Sequence, residues 1–238
     1  MRRALGFVLA LWAAAVGLGC GERKEVQPPA PAAGPAPKPA VPAEIPATHP
    51  VVALDVAGQG RILIELLPEK APRTVANFIA LANKGFYDGT TFHRVVPGFM
   101  IQGGDLNSKN RDPRDDGQGD PGFTIPDETN DMKHVRGVLS MANRGSPDTA
   151  GSQFFIVVAD QPDLDGHYTA FGRVIEGMEV VDRIAAVETD KYGRYGAPDR
   201  PRADVVVRTA RVEASEGETP RAAGESTSGK RLGSSPSR

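Results

Sequence analysis

Cysteine is almost missing from this chain. Cys20 is the one such residue in 238, so an intramolecular disulfide is excluded in any compartment. Metal-ligand spacing is missing too. His49, His93, His134 and His167 stand singly, as surface or packing residues do, and neither a metal nor a cofactor is expected. Charge of one sign is lacking: 28 lysines and arginines face 30 aspartates and glutamates, a formal net charge of −2. That balance offers no basic field to nucleic acid. No internal repeat is visible, and the one long apolar run falls short of the ~20 residues that a membrane-spanning helix needs. Glycine (27) and proline (21) are plentiful, and the prolines are unevenly spread.

That unevenness marks the ends of the chain. Met1-Arg2-Arg3 is a short basic start and residues 4–19 are apolar, the pattern of a signal peptide over residues 1–19. The run closes on Gly17-Leu18-Gly19-Cys20. A cysteine behind a small residue and a hydrophobic segment resembles a bacterial lipoprotein signal, which implies Cys20 as a lipid anchor. Gly17 departs from the aliphatic residue usual at its position, and ordinary cleavage with a leftover cysteine is the other reading. Loss of Arg2 and Arg3 takes the formal charge from −2 to −4. Residues 20–50 are rich in proline and alanine and carry no aromatic residue. Proline blocks helix and sheet pairing alike, so this stretch reads as an extended tether with a reach of about 90 Å. A proline-rich ligand for a partner domain is the alternative. Residues 214–238 are mostly Ser, Gly, Glu and Arg, and a disordered tail is expected there.

Between these ends the composition changes. Val51–Val56 and residues 61–66 are β-rich runs around Ala57-Gly58-Gln59-Gly60, which predicts a hairpin. Over residues 71–84 the period turns helical, with Val75, Phe78, Ile79 and Ala82 on one face. Asn77 on that helix reads as structural. Further strands are predicted over residues 92–96, from Met100, and over 137–142, 153–158, 171–175 and 204–212. A second helix is predicted over 178–186, with Met178, Val181, Ile184 and Ala185 on one side. Gly117-Gln118-Gly119 lacks the feeding strand and the Lys-Ser/Thr of a phosphate loop and reads as surface loop. Many short strands with two helices and no alternating strand–helix rhythm argue for a mainly β, antiparallel barrel or sandwich.

Two blocks carry the chemistry: residues 92–105, FHRVVPGFMIQGGD, and residues 139–157, LSMANRGSPDTAGSQFFIV. The first holds no cysteine, serine or histidine placed as an activated nucleophile and no run of carboxylates. Together they resemble the cyclophilins, the prolyl cis/trans isomerases, and the resemblance covers residues 51–213. It implies an eight-stranded antiparallel barrel capped by two helices, with the active face outside the barrel. It implies Arg94 and Gln102 as catalytic positions. Phe99, Met100, Ala142, Asn143, Gln153, Phe155, Leu164 and Tyr168 are implied as substrate-binding positions. Period-two alternation independently puts Met100 with Gln102, and Gln153 with Phe155, on one side of their strands. Phe154 and Ile156 then face the core, and His93 points away from Arg94.

The residue types suit the reaction. A peptide C–N bond resists rotation by about 18–20 kcal/mol because of resonance. At mid-rotation the prolyl nitrogen has recovered its lone pair, and a guanidinium N–H bonds it only then, which favours the transition state over either ground state. Arginine keeps its charge throughout. Three positions depart from the family pattern: Asp163 stands where tryptophan is common, Tyr168 where histidine is common, and Arg144 where a small residue is common. Retained isomerase activity with weak cyclosporin binding is the expectation. The implied partners are proline-containing polypeptide clients met by a monomer in a bacterial cell envelope, with a membrane engaged only through the lipid anchor. The competing reading is a module that binds proline segments with incidental turnover.

Overall fold

The structure, a computed structural model, describes residues 49–194 and 196–213. The expected signal peptide, Cys20, the tail and all of the tether but its last two residues lie outside them.

Strand β1, Val51–Val56, and strand β2, Gly60–Leu66, form the predicted hairpin, in register from Val51 opposite Glu65 to Val56 opposite Gly60. Val52 and Leu54 on β1 and Ile62, Ile64 and Leu66 on β2 are sealed from solvent. Helix α1, Pro72–Asn83, follows. Pro72 suits the first turn, where no intrahelical N–H bond is lost. Ala71 supplies no capping side chain; instead the distant Glu128 carboxylate accepts the N–H of Arg73 (3.1 Å) and of Thr74 (2.8 Å). This places a negative charge at the positive end of the helix. Phe78 on α1 packs against the rings of Tyr87, Phe154 and Phe171, with centroids 4.9–5.4 Å apart. Asn77 is structural as expected, donating to the Gly151 carbonyl at 2.8 Å in a buried setting.

The remaining strands are β3 (Arg94–Val96), β4 (Met100–Gly103), β5 (Val138–Met141), β6 (Phe154–Val157), β7 (Ala170–Glu176), β8 (Thr189–Asp190), β9 (Arg200–Pro201) and β10 (Val207–Val212). Helix α2, Met178–Ala185, lies between β7 and β8 and buries Val180, Val181, Ile184 and Ala185. Eight strands form one antiparallel sheet in the order β10-β1-β2-β7-β5-β6-β4-β3. The sheet curls until the segments ahead of its two edge strands meet. Val207 N–H donates to Thr90 O at 2.8 Å, Phe92 N–H donates to Val205 O at 2.9 Å, and Thr91 bridges Val206. The barrel is thus closed by a few bonds beside its edge strands rather than by a full ladder. At the β2–β7 crossing the strands approach so closely that a Cβ on Gly172 would lie 2.7 Å from the Glu65 carbonyl oxygen, so only glycine fits there.

Two expectations are corrected. The strand expected from residue 92 begins at Arg94, because Thr91 and Phe92 pair instead with Val206 and Val205. The closing strand begins at Val207 rather than residue 204. The short β8–β9 ribbon, with Thr189 opposite Pro201 and Asp190 opposite Arg200, was not foreseen, since two-residue strands carry no readable period.

Alternation along β4 and β6 gives the sheet two apolar faces. Ile101, Phe154 and Ile156 join the main core. Met100, Phe155 and Val157 point the other way and form a second cluster with Val138 and Ala170. Phe99, Ala142, Leu164 and Tyr168 pack against that second cluster. A period of two cannot place both sets on one side, so an apolar patch on the outer face follows directly from the strand sequence.

Candidate active site

The turn Pro97-Gly98 sets the site's first edge. Gly98 has φ +71° and Phe99 N–H donates to Val96 O at 3.0 Å, as in a turn with proline first and a left-handed glycine second. It folds β3 back on β4 so that Arg94 stands opposite Gln102. Gln102 is in turn opposite Phe155 across β4 and β6, and Phe155 is opposite Ser140 across β6 and β5. A row of four strands therefore carries arginine, amide and ring side by side.

Arg94, Phe99, Met100, Gln102, Ala142, Asn143, Phe155, Leu164 and Tyr168 line one recess of about 110 Å³. Its floor is apolar, with Met100 and Phe155 only 2% and 5% exposed. The Arg94 side chain is half-exposed, with its Nε 3.7 Å from the Asp199 carboxylate. Gln153, expected among these residues, lines not this recess but the larger one beside it. Its oxygen accepts from the Gln102 amide at 3.0 Å, and its own amide donates to the Gly117 and Gly119 carbonyls at 3.0 and 2.9 Å. Gln153 thus ties Gln102 to the loop over residues 112–122. That loop is more than surface: Asp116 and Gly119 are buried, and Asp105 accepts the Asn107 and Gly117 N–H groups beneath it.

A second, larger recess of about 460 Å³ adjoins the first through Gln102, Ala142 and Asn143. Its wall includes Arg144, which is ion-paired with Asp120, so the departure noted at Arg144 puts charge there. The larger recess lacks both Arg94 and the apolar floor. The smaller one is the candidate site.

His134 is the residue that the sequence did not reveal. It is fully buried, and its ring stacks on Phe155 at 6.1 Å and 19°. Its nitrogens are fixed on both sides, Nδ1 3.1 Å from Asp165 and Nε2 3.1 Å from the Ser140 hydroxyl. Tyr168 meets the same Phe155 ring edge-on at 5.5 Å. The His134 backbone N–H, then its ring, hold the Asp165 carboxyl down at about 2, with Lys133 assisting. His93 is likewise buried, and among the described residues neither ring nitrogen makes a well-formed hydrogen bond. Burial pushes it down to about 4 against the opposing pull of Asp116. Asp163 is exposed on a short 3-10 turn, Pro162–Leu164, and stands outside the recess. Among the described residues no cluster of three or more His, Cys, Asp or Glu could hold a metal ion.

Comparison with known proteins gives this arrangement a context. The family model for cyclophilin type peptidyl-prolyl cis-trans isomerases matches residues 51–212. The chain is 55% identical over 127 residues to peptidyl-prolyl cis-trans isomerase B of Bacillus subtilis, covering 52% of this chain and 83% of that relative. It is 40% identical over 163 residues to peptidyl-prolyl cis-trans isomerase A of Dickeya dadantii, covering 64% of this chain and 80% of that one. A crystal structure of a cyclophilin-type isomerase from Cryptosporidium parvum superimposes with a TM-score of 0.62 at 31% identity, over 70% of this chain and 99% of the other. Curled sheet, outward recess and sequence agree: the chain belongs to the family of cyclophilin-type peptidyl-prolyl cis-trans isomerases.

Proposed function

We propose that the chain accelerates rotation about Xaa-Pro peptide bonds and that Arg94 is the group that meets the reacting nitrogen. One observation carries this reading: a half-exposed guanidinium and a buried Met100–Phe155 floor share one recess on the outer face of the sheet. The prolyl ring sits on that floor, out of water, while Gln102 and the Asn143 backbone hold the flanking peptide. As the C–N bond twists, the nitrogen regains its lone pair, and an Arg94 N–H donates to it. Uncatalysed, this rotation takes tens to hundreds of seconds. A gain of 10⁴ to 10⁶ needs about 5.5–8 kcal/mol, within reach of a charged hydrogen bond in a desolvated slot together with clamping. The Cryptosporidium relative was also crystallised in the presence of the dipeptide Ala-Pro. Titrating an Ala-Pro-containing peptide into labelled protein tests the placement: resonances of Phe99, Met100 and Phe155 shift and cis/trans exchange peaks appear. Shifts confined to another surface overturn it.

The reading extends to the cell. The basic start, the apolar run ending at Cys20 and the Pro/Ala tether support export to a bacterial envelope, with lipid on Cys20 and the domain held off the membrane as a monomer serving proline-containing clients. Mass spectrometry of the mature N-terminus detects the acylated Cys20; an unmodified terminus overturns the anchor. With the common ring replaced at Asp163, cyclosporin binds weakly, and inhibition at nanomolar drug counts against that.

A further inference from the structure

The loop between β8 and β9, residues 191–199, ends on a residue in an uncommon conformation. Asp199 has φ +62°, a left-handed backbone that aspartate and asparagine tolerate better than other side-chain-bearing residues. Its peptide groups are held on both sides. Its N–H donates to the Asp190 carbonyl at 3.0 Å, and its own carbonyl accepts the N–H of Val95 at 2.9 Å. Val95 directly follows Arg94. The next residue, Arg200, is locked in turn, with Nε 2.6 Å from the buried Asp116 and Nη2 2.7 Å from Asp204. The Asp199 backbone is therefore fixed to β3 at the reacting arginine, and its carboxylate stands 3.7 Å from Arg94 Nε. The Asp199 side chain is 24% exposed and that of Arg94 43%, so the pair lies at the rim of the recess rather than in the core.

We propose that Asp199 is a positioning residue for Arg94. It engages the guanidinium through Nε and leaves the terminal N–H groups, which carry most of the fork's donors, turned to the prolyl nitrogen. A long, half-exposed side chain samples many rotamers unless something selects one. A carboxylate fixed on the neighbouring ribbon selects it before substrate arrives. The left-handed φ fits the same purpose: the ribbon carries a charged side chain at a backbone position that glycine fills without strain. This inference rests on the reading of Arg94 given above.

The test is steady-state isomerisation of an uncharged Xaa-Pro peptide by the full chain, for the wild type, Asp199→Asn, Asp199→Gly and Arg94→Ala, and for Asp199→Asn in the Arg94→Ala background. Asparagine keeps size and tolerance of positive φ; glycine accepts φ +62° with no side chain, so a folded variant is assured by one or the other. At low ionic strength each Asp199 variant lowers kcat about twofold to fivefold, the range set by exposed ion pairs, with KM unchanged. Salt near 1 M, where screening acts within about 3 Å, brings the wild type towards Asp199→Asn while that variant stays level. In the Arg94→Ala background Asp199→Asn has no further effect. Wild-type or higher kcat in both Asp199 variants, with Arg94→Ala impaired, overturns the inference alone. An equal loss persisting in the Arg94→Ala background also overturns it, since the loop then acts through the fold. If Arg94→Ala matches the wild type, the catalytic reading falls and this inference with it.

Discussion

His134 shows how one residue shapes the recess without lining it. It is held between Asp165 and Ser140 and backs the ring of Phe155, so the recess floor is fixed by a buried polar side chain with both nitrogens engaged. Replacing it with phenylalanine keeps a ring for stacking but leaves the Ser140 hydroxyl and one Asp165 contact without their partner. Loss of a buried partner costs about 1–3 kcal/mol, and urea denaturation of His134→Phe is expected to show a loss of that order. The same variant raises KM for an Xaa-Pro peptide more than it lowers kcat, because Arg94 is untouched. A KM equal to wild type would separate His134 from the floor. The sequence carried little signal for this role: His134 and Asp165 lie 31 residues apart, and a lone histidine between loops has no period to betray its neighbours. Asp199 was hidden for the same reason, because its partner across the rim is a distant residue in the chain.

At the scale of elements, the chain was readable wherever a periodic pattern ran for a turn or more. The β1–β2 hairpin and both helices stand where alternation and helical spacing put them, α1 at Pro72–Asn83 and α2 at Met178–Ala185. Met100 with Gln102 and Phe155 on the recess side, and Phe154 with Ile156 in the core, followed from period two in β4 and β6. Gln153, just ahead of β6, bonds Gln102 on that side but lines the adjoining larger recess, with its amide taken by the Gly117 and Gly119 carbonyls. The helix α1 cap was invisible, since Glu128 comes from a loop beyond β4. Replacing Glu128 by alanine removes the acceptor for two helix N–H groups and the Thr74 hydroxyl. The expected loss is about 0.5–2 kcal/mol in a denaturant melt, with isomerisation at 25 °C retained. An unchanged midpoint would mean that water caps the helix as well as the carboxylate does.

The whole molecule carries a built-in response to acid through His93. Its ring binds a proton less readily in the fold, at about 4, than in the open chain near 6.5, because burial disfavours the charged form. Between those values the unfolded chain holds more protons, so this group's contribution is complete above about pH 6.5 and is lost as pH falls towards 4. The scale is on the order of 3 kcal/mol. Asp116 faces the ring and, itself pushed up by burial, moderates the loss. Denaturation of wild type and His93→Phe across pH 4–7 isolates the effect: the wild type loses stability relative to His93→Phe on acidification, and an offset constant with pH would contradict the buried neutral ring. The proposed catalysis uses the next residue along, Arg94, which β3 brings beside the apolar recess. The most direct test of that claim is the cis/trans exchange rate of a short Xaa-Pro peptide with wild type and with Arg94→Ala, both shown to be folded. Loss of one preorganised transition-state donor predicts a fall in kcat/KM of about 10²–10³-fold. A variant within about fivefold of the wild type, no more than an exposed ion pair accounts for, would contradict it.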